Sequence, residues 1–193
     1  NRAIDFVFAM YYLRVLGPAD AGRYVAAITT AGFFEIFANY GLDILLIRDV
    51  SQDKSRANHY LFNTTLLRLG AGVLASIPML LFMWSTIYSE NPLTMAEVVA
   101  IILIMIGMIF SGMSKGVTGL FYVYEEAEIP AGMTTATTIL KVGLGVIVLL
   151  LGYSFVGLAA VSIVVNIITL VVLLILAIRH FGLAGPWRFD WIL

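Results

Sequence analysis

Long apolar runs recur along the whole chain, each separated from the next by a short polar stretch. A run of about 20 apolar residues is the length that crosses a ~30 Å hydrocarbon core as a helix. Lipid offers backbone N–H and C=O groups no hydrogen-bond partners, so such runs must pair their own groups internally, as helices do. Period-2 alternation, the mark of a membrane barrel strand, is missing. The expected fold class is therefore all-α, a polytopic membrane bundle of about six transmembrane helices. Composition agrees: 61% of the 193 residues are hydrophobic and 12% charged, with mean hydropathy +1.00. A water-facing surface needs about a quarter of its residues charged.

Helix one covers Ala3 to Leu16 and stops at Gly17-Pro18, a C-cap glycine followed by a helix breaker. Its about 14 residues reach roughly 20 Å, short of the ~30 Å core, so the chain is expected to begin inside this helix. Asp20 suits the N-cap of helix two, which should run to about Ile47. The charged stretch from Arg48 to Arg56 follows, then helix three from about His59 to Trp84, with a kink expected at Pro78. Helix four should span Met95 to Tyr122, helix five Ala131 to Leu151 with Pro130 in its first turn, and helix six Val156 to Ile178. Residues 1–178 thus make one membrane unit. Residues 179–193, with Gly185-Pro186-Trp187, form a cytoplasmic or interfacial linker.

Basic residues flanking the spans set orientation. Arg48, Lys54, Arg56, Lys115, Arg179 and Arg188 gather on one side, against Arg14 and Arg23 on the other. The first group faces the cytoplasm, with Lys115 read as snorkelling to the interface. Aromatics such as Tyr12, Trp84, Tyr122 and Tyr124 fall at expected interfaces. A net charge of −1 gives no pull on nucleic acid, and the absence of cysteine removes thiolate sites. There is no P-loop, no H-E-x-x-H and no G-x-S-x-G. No cofactor, metal site or catalytic residue is expected, and the chain reads as a non-enzyme.

Ionisable groups within a membrane are costly enough to be functional suspects. Glu35, Asn39 and Asp43 follow i, i+4, i+8 spacing, which puts them on one stripe of helix two. Arg68 in helix three, Lys141 in helix five, Asn166 in helix six and Asp5 in helix one fall at similar depth. One reading is a hydrated cavity in which Arg68 and Lys141 attract an anion, with Asn166 alongside. Glu35, with Asn39 and Asp43 on its stripe, and Asp5 of helix one then act as counter-charges or ion-coupling sites. The other reading is a set of structural ion pairs that fix helix packing, with Asp43 bonded to Arg48. Gly112 and Gly116 form a G-x-x-x-G, a close helix-contact motif.

The run from Tyr12 to Tyr24, with Arg14, Leu16-Gly17-Pro18, Asp20 and Gly22-Arg23-Tyr24, resembles the opening signature of polysaccharide biosynthesis proteins. Asn39-Tyr40-Gly41-Leu42-Asp43 and Ile47-Arg48-Asp49-Val50-Ser51 look like the family's end of helix two and first cytoplasmic loop, and Phe189-Asp190-Trp191 is similar to its lead into a seventh helix. Leu13 departs from the family, where a small residue is usual. The family resembled is that of the oligosaccharide flippases (Wzx-like) of the multidrug/oligosaccharidyl-lipid/polysaccharide exporter superfamily. The resemblance implies a two-lobe transporter of which this chain is the N-terminal lobe, with a C-terminal lobe as partner. It implies movement of a polyprenyl-diphosphate-linked glycan across the cytoplasmic (inner) membrane by alternating access, with Arg14 within reach of the diphosphate. An ion-coupled drug or small-cation antiporter, a non-transporting scaffold for glycan synthesis, and more distantly a glycosyltransferase stand as alternatives.

Overall fold

The structure, a computed structural model, describes residues 2–38, 41–54, 57–87 and 93–181. Among these residues it contains six helices and no strand. They are α1 (Arg2–Ala38), α2 (Leu42–Gln52), α3 (Ala57–Ile87), α4 (Met95–Val123), α5 (Glu128–Leu150) and α6 (Phe155–Phe181). The chain is thus an all-helical membrane bundle, as its hydropathy requires. Four helices, α3 to α6, are long and apolar enough to cross a membrane. In α1, Asp20, Arg23 and Glu35 interrupt the apolar run, and α2 is too short.

The first 52 residues divide differently from the sequence expectation. The Gly17-Pro18 stop is a kink inside α1 rather than a loop: Gly17 leaves the helical region at φ 74°, ψ 171°, and the helix resumes at once. Helix two does not continue to Ile47. It ends at Ala38, and a new helix starts behind Gly41, whose φ of 71° is a left-handed conformation that favours glycine. Glu35 and Asp43 therefore lie on separate helices, and the expected polar stripe is broken between them. Asn39 lies outside the described residues, as do Arg56, Asn91-Pro92 and the linker from residue 182 onward. The charged stretch after Ile47 is helical through Gln52.

The later helices fall close to expectation. Thr94 caps α4: its side chain accepts from the Glu97 N–H at 3.4 Å, while its own N–H donates to Glu97 Oε2 at 2.6 Å. This reciprocal box fixes the helix start. Pro130 lies in the first turn of α5, and α3 runs through Pro78 without a break.

α4 is the central helix, packed against all five others. Its small residues make that possible. Gly107, Gly112, Gly116 and Gly119 are all buried, and three of them receive side chains from neighbours. Asn166 of α6 lies over Gly107, Arg68 of α3 over Gly116, and Leu46 of α2 over Gly119. Around this axis one apolar cluster joins Leu46, Leu61, Leu120, Phe121 and Leu173 at the end bearing α2. Another joins Phe8, Tyr24, Leu149, Phe155 and Leu158 at the opposite end. The outer surface is apolar too: Val73, Leu74, Ile77, Leu81 and Trp84 form an exposed stripe on α3. A stripe of large apolar side chains turned outward suits lipid, not water.

The contact of α1 with α5 depends on Gly145, where a Cβ would come 2.5 Å from Phe8 Cζ. Gly145→Ala should therefore cost about 1–3 kcal/mol through overpacking. Gly143→Ala, with nothing within 4 Å, should be neutral or stabilising by up to about 1 kcal/mol from helix propensity. Unfolding midpoints of the two variants in detergent check this contrast.

Candidate binding cavity

The polar side chains of the interior separate into two places, one on each side of α4. On the side of α2 and α3, Arg68 is 4% exposed and reaches across the helix junction. Its Nη2 donates to Asp43 Oδ1 at 2.7 Å and its Nη1 to the Gly112 carbonyl at 3.3 Å. The G-x-x-x-G of α4 thus makes a slot for a guanidinium rather than a bare helix–helix contact. Asp43 pairs with Arg68, while Arg48 pairs with its neighbour Asp49 at 2.7 Å. Beside Arg68 runs an apolar cleft of about 310 Å³ lined by Gly72, Met79, Leu80, Met105 and Ile109.

On the other side lies a polar cavity of about 250 Å³. α5 contributes Thr134, Thr137, Thr138 and Lys141, spaced to fall on one helical face. α4 contributes Ser111, Ser114, Lys115 and Thr118 by the same periodicity, α6 contributes Asn166 and Thr169, and α1 contributes Asp5. Lys141 is half-buried and forms no ion pair among the described residues. Lys115 donates to Glu35 Oε1 at 2.6 Å.

The hydroxyls have a shared habit. Thr134 donates to the Pro130 carbonyl at 2.8 Å, Thr138 to Thr134 at 2.8 Å, Ser114 to Phe110 at 3.0 Å and Thr169 to Val165 at 2.7 Å. This back-bonding is common for Ser and Thr in helices. It leaves oxygen lone pairs as what these residues offer the cavity, alongside two ammonium donors. Asn166 likewise directs its amide N–H to the Gly107 carbonyl at 3.0 Å. Acceptors complement sugar hydroxyls, and ammonium groups complement phosphate.

The structure therefore brings Asp5, Lys141 and Asn166 together, as the depth argument expected. Glu35 joins them only through Lys115. Buried Arg68 and partly exposed Asp43 form a separate pair, and Arg14 is exposed. Sequence reasoning passed over Lys115, which lines the cavity rather than snorkelling outward, and the Ser/Thr wall. The signal was present in Thr134, Thr137, Thr138 and Lys141, whose spacing matches the stripe logic applied to helix two. A third polar group lies at the end holding Tyr153: Arg23 bonds Asp20 at 3.0 Å and Glu97 at 3.3 Å, and Ser154 donates to Asp20 at 3.1 Å. No group of three or more His, Asp or Glu residues suited to a metal occurs among the described residues.

Four helices long and apolar enough to cross a membrane, with an apolar outer surface and a half-open polar cavity beside them, define a multi-pass membrane protein. The chain belongs to the polysaccharide biosynthesis protein family, whose model matches residues 1–190. No curated protein and no solved structure matches it.

The Arg68–Asp43 pair holds helices together rather than lining the polar cavity. A double-mutant cycle with Arg68→Met and Asp43→Asn should give a coupling in the lower half of the ~0.5–3 kcal/mol range for paired groups, because water reaches Asp43. Unfolding in detergent measures it.

Proposed function

We propose that this chain is part of a transporter that flips a polyprenyl-diphosphate-linked oligosaccharide across the cytoplasmic membrane by alternating access. Membership of the polysaccharide biosynthesis family supplies the biological setting. The observation that carries the reading is Lys141, a cation with no ion pair among the described residues, in a cavity that it shares with hydroxyls, an amide, Lys115 and the single carboxylate of Asp5. A bare ammonium beside hydroxyl acceptors complements a diphosphate joined to a sugar. In this reading the protein is a carrier and not an enzyme, its partners are the lipid-linked glycan, membrane lipids and a second helical lobe, and Asn166 helps orient the bound head group.

Two other readings fit less well. A drug or small-cation antiporter needs a cavity dominated by acid. Here Asp5 faces two lysines, and Glu35 is already engaged by one of them. A scaffold that carries nothing would pair its internal charges and close the space between them, whereas Lys141 has no ion pair among the described residues and lines about 250 Å³ of cavity.

The test is transport by the full-length protein reconstituted in vesicles with a fluorescent lipid-linked glycan. One charge-assisted hydrogen bond contributes about 1.5–3 kcal/mol, so Lys141→Ala should lower diphosphate affinity roughly tenfold to a hundredfold. Lys141→Arg should retain more than Lys141→Ala does. Wild-type transport by Lys141→Ala would remove the site assignment.

A further inference from the structure

The Lys115–Glu35 contact joins residues from α4 and α1 at 2.6 Å, yet Lys115 also lines the polar cavity. Its side chain is 46% exposed, against 25% for Glu35. The ammonium is thus open on the cavity side while one carboxylate holds it from the other. We propose that Glu35 is a built-in stand-in for the ligand's anion: it and a bound diphosphate compete for Lys115. This rests on the diphosphate reading of the cavity.

The charged surroundings make Glu35 the group that must respond. From α1, Asp5 lines the cavity, and from α5, Lys141 does; neither lies within ion-pair distance of another charge among the described residues. α6 adds Asn166 and Thr169, both neutral. Arg68 of α3 and Asp43 of α2 are bonded to each other behind α4. Glu97, the carboxylate near the start of α4, is held by Arg23. Among the described residues, Glu35 is accordingly the carboxylate paired with a lysine of the cavity.

An ammonium satisfied by phosphate attracts a second anion less strongly. A ligand anion must therefore displace Glu35 to gain the full attraction of Lys115, and removing that carboxylate should raise affinity. The empty site, by contrast, carries its own counter-ion and does not leave Lys115 bare.

Calorimetric titration of the full-length, detergent-solubilised protein with farnesyl diphosphate measures the competition. Glu35→Gln frees Lys115 and should bind several-fold more tightly than the wild type. Lys115→Gln should bind about tenfold more weakly or worse, and adding Glu35→Gln to it should bring no gain. Where Glu35→Gln does not purify folded, Glu35→Asp, whose shorter side chain loosens the contact, should give part of the gain. Equal affinities in wild type and the Glu35 variants, or a gain that persists without Lys115, would overturn the competition, even where Lys141→Ala abolishes binding and so upholds the cavity. Failure of the wild type to bind farnesyl diphosphate would overturn both.

Discussion

Two side chains from different neighbours of α4 end on its backbone: Asn166 donates to the Gly107 carbonyl and Arg68 to the Gly112 carbonyl. Nearly everything else in the bundle is arranged around that access. A helical carbonyl already accepts one hydrogen bond within its helix, and a donor arriving from a neighbouring helix reaches it most easily where no Cβ stands in the way. The glycines of α4 open the way, and polar groups from α6 and α3 find partners there in a setting without water. The same absence of side chains lets Leu46 pack onto Gly119, where an added Cβ would lie 2.8 Å from its Cδ2. α4 therefore divides the interior: a buried guanidinium pair and an apolar cleft on one side, a hydroxyl-lined cavity on the other.

The fold was legible where it followed from hydropathy. α3 to α6 were bounded within a few residues, because turn residues and caps such as Thr94, Gly152 and Pro130 punctuate runs too apolar to end otherwise. The first 52 residues were harder to divide. Gly17 and Gly41 both take left-handed conformations, yet one bends a helix that continues and the other separates two helices. Local sequence marks both as breaks and does not rank them. That ambiguity carried through to the site, since a continuous helix two would have placed Glu35 and Asp43 on one face.

Depth along a helix proved to be half of the information needed. It grouped Asp5, Lys141 and Asn166, which line one cavity, but by the same argument it also grouped Glu35 and Arg68, which do not line it. Which way a residue turns about its helix axis depends on neighbours, and Arg68 turns toward the α4 glycines and Asp43. Lys115 was missed for the reverse reason. Its place in the last third of α4 suits a side chain stretching to the interface, but Glu35 of α1 offers a partner at bonding distance instead. Partner choice across helices 80 residues apart in sequence leaves no local trace.

The back-bonded hydroxyls limit what the cavity can tell apart. A donor can be aimed, and two aimed donors can distinguish one arrangement of oxygens from another. Lone pairs around a hydroxyl whose hydrogen is already committed accept from a broad range of directions. The walls around Thr134, Thr138, Ser114 and Thr169 therefore register that a molecule bears hydroxyls, while saying little about their stereochemistry. A site built this way is tolerant by construction. If the proposed glycan is the ligand, changes in its sugars would leave this wall chemistry usable without rebuilding the bundle.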